Sequence, residues 1–135
     1  MKYLLDANTC IRLLNGSDAG VARRFKQCQP GDLVLCSVVR AELLYGARRS
    51  ARVEINLNRL KSFAAPLQSL AFDDRCAHDY GLIRADLAAQ GRPIGANDLM
   101  IAAIARAHDL TLVTHNASEF SRVAGLRMED WESSR

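Results

Sequence analysis

Short apolar runs recur along this chain, separated by longer stretches of mixed polarity, and within the runs apolar and polar residues do not alternate. Lys2 to Leu5 reads as a short buried strand, followed by a helix near Thr9 to Leu14 that Gly16 and Ser17 break. Asp18 can cap a helix through about Gln27, and Pro30-Gly31 marks a turn. Leu33 to Cys36 is a second buried strand, with Ser37 placed to cap a helix over Val38 to Arg48. Another amphipathic helix, partly basic, runs from Arg52 to Phe63. Pro66 precedes a strand at Gln68 to Ala71, and Asp73 or Asp74 opens a long helix to about Gln90, ended by Gly91-Arg92-Pro93. Asn97 or Asp98 opens a helix to His108, Thr111 to Thr114 forms a fourth strand, and Asn116 to Ser121 makes a short helix before a last strand near Leu126.

Short apolar strands spaced by helices predict an α/β fold with a parallel sheet covered on both faces. In such sheets, sites form outside the carboxyl ends of the strands, where the strand order reverses. Asp6 ends the first strand, Asn116 and Glu119 follow the fourth, and Asp98 precedes the helix that leads into it. These side chains can therefore reach one sheet edge.

With 135 residues the chain is the size of one domain with a sizeable core. Its longest wholly apolar run, Leu99 to Ala105, is too short to span a bilayer, and only Tyr3-Leu4-Leu5 separates the start from Asp6. A cytoplasmic protein without a membrane anchor is expected. Cys10, Cys28, Cys36 and Cys76 show no C-x-x-C pairing, which favours reduced cysteines used as small core hydrophobes over zinc or disulfides. The net charge of +3 permits a nucleic-acid partner without requiring one; the basic residues are 15 Arg against 3 Lys, and Arg suits phosphate contacts. Phosphate-loop and dinucleotide fingerprints are absent, since Gly46 and Gly95 lack the spacing.

Four acids stand out: Asp6, Glu42, Asp98 and Glu119. Each also has a plain structural reading. Asp6 and Asp98 could be helix caps, although Asn97 can cap in place of Asp98. Glu119 could lie on a solvated face. Glu42 and Arg40 stand about 200° apart on their helix, so they cannot share one solvent face. Glu42 lies on the side of Val38 and Tyr45 and is expected to point inward, where a lone carboxylate needs an Arg partner or a metal. Carboxylates gathered without Cys or His spacing suit Mg²⁺ or Mn²⁺, ions that activate water and offset phosphate charge. Asn116 is a further oxygen donor or cap. His78 and His108 read as structural residues, and His115 as a candidate RNA contact.

These residues resemble a known family. Leu4-Leu5-Asp6-Ala7-Asn8 is similar to the opening of PIN-domain ribonucleases, and Ser37 with Glu42-Leu43-Leu44-Tyr45-Gly46-Ala47 to their second motif. Gly91 to Gly95 through Asp98 and Ile101-Ala102-Ala103 resembles the third. Leu112 to Asn116, Glu119-Phe120, Val123, Gly125-Leu126 and Glu129-Asp130-Trp131 resemble the last motif and the ending. The likeness spans nearly the whole chain and points to the VapC toxins of bacterial VapBC toxin–antitoxin modules.

The resemblance implies one PIN domain over residues 1–135, a PIN-like α/β/α sandwich with a mostly parallel five-stranded sheet. It implies a Mg²⁺- or Mn²⁺-dependent endoribonuclease in which Asp6, Glu42 and Asp98 take metal-binding positions. Thr114 matches a hydroxyl position near the metal, and Asn8 lies beside the first acid. Many members carry Asp where this chain has Asn116, so the fourth acidic position falls either there or at Glu119. Related members cleave tRNA in the anticodon region, some of them initiator tRNA, and so inhibit translation. A VapB antitoxin would dock a segment in the active-site groove and alone supply contact with operator DNA. A homodimer is expected, with contacts among the helices from Val38 to Phe63. Arg23 and Arg24, and Arg48, Arg49 and Arg52, are candidate RNA-backbone contacts. Two rival readings remain. A haloacid-dehalogenase-type phosphatase would need a second Asp where Asn8 stands. A catalytically inactive PIN scaffold that only binds protein or nucleic acid would have no need of the three acids.

Overall fold

The computed structural model describes residues 1–133. Five strands form one sheet: β1 (Tyr3–Leu5), β2 (Leu33–Cys36), β3 (Gln68–Leu70), β4 (Thr111–Val113) and β5 (Arg127–Glu129), in the order β3-β2-β1-β4-β5. Every pairing is parallel, so the sheet is wholly rather than mostly parallel. The helices are α1 (Ala7–Asn15), α2 (Ala19–Gln27), α3 (Ser37–Arg48), α4 (Val53–Ala64), α5 (Asp74–Ala89), α6 (Ala96–Ala107) and α7 (Ala117–Phe120). All four residues of β2 are buried, as are Leu4, Leu5, Leu112 and Val113, which explains why the strands show no polar alternation. From β1 the chain goes to β2 on one side, and later returns to place β4 on the other. The order reverses at β1, so a crevice opens outside the ends of β1 and β4.

α6 has the core position its composition predicts. Leu99 and Ile101 through Ala105 are buried around the whole helix. α5 packs beside it, and Arg106 of α6 pairs with Asp79 of α5 at 3.2 Å. Asp18 and Asp73 cap α2 and α5 as expected, accepting from the backbone N–H of Val21 and Cys76. Two expected caps are not formed. Ser37 is the first residue of α3 rather than its cap, and its hydroxyl donates to the Leu70 carbonyl of β3. α6 starts at Ala96 with Gly95 in the cap position, so Asn97 and Asp98 lie inside the first turn with their side chains free for other contacts. The four cysteines are free thiols, three of them buried.

The segment after β5 locks the opposite face. Trp131 is buried, meets the Tyr3 ring edge-on at 5.2 Å, and donates from Nε1 to Glu129. Arg24 pairs with Glu129 at 2.8 Å and lies 5.1 Å from the centre of the Trp131 ring. Arg24 therefore serves the fold. The Asp18 carboxylate accepts from Ser133, whose hydroxyl in turn accepts from Gly20 N–H at 2.9 Å.

That clasp leaves no room at Gly20. A Cβ there would stand 2.6 Å from the Trp131 carbonyl oxygen and 2.9 Å from Ser133 Oγ. Gly20→Ala is expected to cost about 1–3 kcal/mol through forced displacement of the tail, seen as a lower urea midpoint with an unchanged slope. A midpoint equal to that of the unaltered chain would show that the tail is not held there.

Candidate active site

Asp6 follows β1 directly and caps α1, its Oδ1 accepting from Thr9 N–H at 2.9 Å. Its own N–H donates to the Val113 carbonyl, and the Thr9 hydroxyl reaches the same carbonyl at 3.3 Å. Asp6 and Thr9 are buried, so this junction ties β1, α1 and β4 together at the reversal point. The capping and chemical readings of Asp6 are compatible, because capping uses one carboxylate oxygen.

Asp98 stands in the first turn of α6, half-buried. Its carboxyl group lies beside that of Glu119 on α7, close enough for a hydrogen bond when one of the two is protonated. Burial, then the bond and charge of Glu119, then the charges of Glu42 and Asp6 raise the Asp98 pKa from 3.8 to about 7. Glu119 moves the other way. The Asn116 amide, the Asp98 carboxyl and the Gly95 N–H all hold its pKa below the usual carboxylate range. The opposed shifts make Asp98, rather than Glu119, the member of the pair that keeps its proton to higher pH. Asn116 Nδ2 donates to Glu119 at 2.8 Å and Gly95 N–H at 3.3 Å. Asn116 therefore turns its amide toward Glu119, leaving Glu119 as the acid on this side. The buried Thr114 hydroxyl accepts from Asn116 N–H at 3.0 Å, fixing the turn that carries Asn116.

Glu42 comes from the middle of α3 and accepts from Asn97 Nδ2 at 3.4 Å. Its expected neighbour Tyr45 is 64% exposed, so the inward face of α3 is carried by Val38, Val39, Leu43 and Ala47 instead. The contacts made by Gly95 and Asn97 had no signal in the sequence beyond their adjacency to Asp98.

Among the described residues, none of the four acids forms an ion pair with Arg or Lys. The hydrogen bonds that hold them come from neutral donors: Thr9, Gly95, Asn97 and Asn116. The cluster is open rather than tight, since among the described residues no three of these acids bring oxygens within 4.8 Å of one another. Oxygen donors alone, with excess negative charge and no cationic side chain, fit a hard divalent ion such as Mg²⁺ or Mn²⁺.

Clefts border the cluster on more than one side, one of them of about 410 Å³ between α3 and α6 with Glu42 and Asn97 on its walls. Another, of about 290 Å³, lies between α1, α3 and α4 and is lined by Ile11, Leu14, Leu43, Leu60 and Glu42, with Arg59 at its side. A third, of about 540 Å³, is polar, with Asn8, Arg12, Asn15, His115, Asn116 and Ser118 on its walls. Asn8 is exposed there. His115 lies 2.9 Å from Asp130, whose bond and charge raise its pKa and favour the imidazolium. Arg12 is bound to Glu132. Arg23, Arg48, Arg49 and Arg52 are exposed, Arg49 over the Tyr45 ring.

The sequence pattern of the PIN domain family matches residues 3–126. The chain is 44% identical over 131 residues to the tRNA(fMet)-specific endonuclease VapC of Shigella flexneri, covering 97% of this chain and 98% of that one. Its fold is similar to VapBC from Salmonella typhimurium bound to DNA, with a TM-score of 0.91, 38% identity, and 97% and 98% of the two chains covered. It is also similar to VapBC2 from Rickettsia felis bound to a promoter fragment, with a TM-score of 0.89, 34% identity, and 98% and 100% covered.

The crowding of carboxylates sets a pH dependence for the metal-free chain. Because Asp98 is raised, the folded state keeps its proton to higher pH than the unfolded chain does. Stability is therefore lost as pH rises from 3.8 to about 7 and stays lower above that. In chelator, Asp98→Asn is expected to flatten this fall and gain on the order of 1 kcal/mol at pH 8 after solvent screening. Urea melts across pH 4–8 would measure it, and equal pH profiles for the two proteins would show that Asp98 is not under this strain.

Proposed function

Since the chain belongs to the PIN-domain family, and to its VapC group, we propose that it is a metal-dependent endoribonuclease that acts as the toxin of a VapBC module. The observation that carries this is the set of four carboxylates at the reversal point of the sheet, held by neutral donors and, among the described residues, in no ion pair with Arg or Lys. Asp6 and Asp98 would hold Mg²⁺ or Mn²⁺ directly, with Glu42 and Glu119 completing its surroundings. The ion would supply a Lewis acid that lowers the pKa of water and offsets charge on a phosphodiester.

The chain's own residues position the rest. Thr9 fixes Asp6, Asn97 steadies Glu42, and Asn116 with Gly95 fixes Glu119. Hydrolysis would form a bond from water oxygen to phosphorus in line with the departing 3′ oxygen, which takes up a proton. The products would carry 5′-phosphate and 3′-hydroxyl ends. In the polar cleft Asn8, Ser118 and the imidazolium of His115 can meet RNA, and the exposed Arg48, Arg49 and Arg52 can follow its backbone.

The substrate would be tRNA, cut in the anticodon region. Initiator tRNA is favoured because relatives at 44% and 38% identity are named as tRNA(fMet)-specific endonucleases. Cleavage would inhibit translation in the cytoplasm. A VapB antitoxin would neutralise the enzyme by seating a segment in the apolar cleft beside Glu42, and would alone contact operator DNA. Leu44 and Tyr45 of α3 and Ile55 of α4 are exposed and support a homodimer through these helices.

The test is incubation of a tRNA pool with antitoxin-free protein and Mg²⁺ or Mn²⁺. Discrete fragments are expected, abolished by EDTA and reduced about 100-fold or more by Asp98→Asn. Cutting of other RNA but not tRNA would move the substrate. No cleavage of any RNA, together with no binding of Mg²⁺ or Mn²⁺ by calorimetry, would replace this reading with an inactive scaffold. If the Arg48, Arg49 and Arg52 side chains follow RNA phosphates, changing all three to Ala should lower the slope of log affinity against log salt by about 1–3. An unchanged slope would remove them from the interface.

A further inference from the structure

Away from the acid cluster, three donors of a different chemistry converge. Asp73, Cys76 and His108 each bring one ligand atom to within 4.8 Å of the others. Asp73 caps α5 and Cys76 follows three positions later on the same face, its N–H bound to Asp73 Oδ1 at 3.2 Å. His108 closes α6, ten positions after Asp98 and therefore about 15 Å from it along the helix at 1.5 Å per residue. In the sequence alone, Cys76 reads as a core thiol and His108 as a structural histidine.

Local structure leaves these donors underused. His108 Nε2 is sealed from solvent and has no hydrogen-bond partner among the described residues. The buried Cys76 Sγ lies against the Asp73 carboxylate and makes a long contact, 3.8 Å, with the Ala71 carbonyl. Arg75, the cation next in sequence, is bound by the Ala107 carbonyl. A carboxylate, a thiolate and a neutral imidazole would together balance a divalent charge. One sulfur, one nitrogen and one oxygen suit Zn²⁺ in a tetrahedral site with one open position, whereas a thiolate is a poor donor for Mg²⁺. The carbonyl end of α6 also favours a cation beside His108.

We propose that Asp73, Cys76 and His108 form a second cation site, specific for Zn²⁺ or a similar thiophilic ion, that fastens the start of α5 to the end of α6. The site is structural and separate in donors and place from the carboxylates of the nuclease reading.

Co²⁺ titration of the full chain tests this, carried out in the Asp98→Asn background to weaken the acid cluster. About one Co²⁺ per chain should give thiolate-to-metal charge-transfer absorption that Zn²⁺ displaces. Cys76→Ser should abolish the absorption, and Asp73→Asn, which keeps a capping side chain, and His108→Gln should each weaken Co²⁺ binding about tenfold or more. Circular dichroism without metal checks that each variant is folded, and the Asp73 and His108 variants decide the matter if Cys76→Ser is not. No charge-transfer absorption in the folded parent chain at excess Co²⁺ would overturn the proposal. So would absorption that survives Cys76→Ser, or binding unchanged in both other variants. RNA cleavage by the chain with native Asp98 is read separately, so loss of one function does not imply loss of the other.

Discussion

Negative charge gathered at one point, with no Arg or Lys ion-paired to it among the described residues, is the constraint that the rest of the molecule serves. Asp6, Glu42, Asp98 and Glu119 come from four separate elements, and burial of Asp98, with the other three acids beside it, raises its pKa to about 7. The chain has 15 Arg, yet these acids are held by backbone N–H groups and side-chain amides. Arg122, whose charge is felt at Glu119, uses Nη1 on the Pro93 carbonyl instead. Neutral donors orient a carboxylate without cancelling its charge, which leaves that charge available to a cation. The energetic cost is met by the core around it. β1 and β4 are buried, and α6 packs apolar residues on every side while exposing its first turn.

Much of this was legible in the sequence because it follows from chain position. Apolar strands without alternation implied a parallel sheet, and the reversal rule placed Asp6 and the residues after β4 at one edge. Asp98 could be read from the helix it heads, since a helix apolar all round must be buried while its start must face something. The angle between Glu42 and Arg40 separated their faces, but it put Glu42 inward with Tyr45, whereas Glu42 is half-buried and Tyr45 exposed. The details that depend on distant partners were not legible. Ser37 and Asn97 have strong capping propensity, but each finds a tertiary contact instead, with Leu70 and Glu42. Arg24 looked like one of several surface cations until Glu129 and Trp131 arrived from the far end of the chain. The hydrogen bond from the Asn116 amide to Glu119 likewise had no signal in the sequence.

α3 is where the acid site and the outer surface meet. Glu42 reaches Asn97, while Leu44 and Tyr45, two and three positions on, face solvent. Leu43 and Ala47 line the apolar cleft that also contains Glu42. Any chain that covers the cleft therefore lies against the site within one helical turn, so covering the cleft and obstructing the acids are geometrically linked. The polar cleft on the other side of the cluster has a different character, with amides, hydroxyls and a histidine on its walls. A peptide with apolar anchors and a polynucleotide would consequently approach the same carboxylates from different sides.

α6 imposes the same logic along its length. Its first turn presents Asp98 among oxygen donors, and its last residue is followed by His108 beside a sulfur and a single carboxylate. Between them lie buried Leu99, Ile101, Ala102, Ala103, Ile104 and Ala105, which give neither cluster a polar route to the other. A hard ion gains most from several charged oxygens, and a thiophilic ion gains most from the thiolate and imidazole. Their separation by a rigid apolar helix keeps donors of one kind from being drawn into a site of the other. If both places hold ions, selectivity between them would rest on donor chemistry, because the helix that joins them also holds them apart.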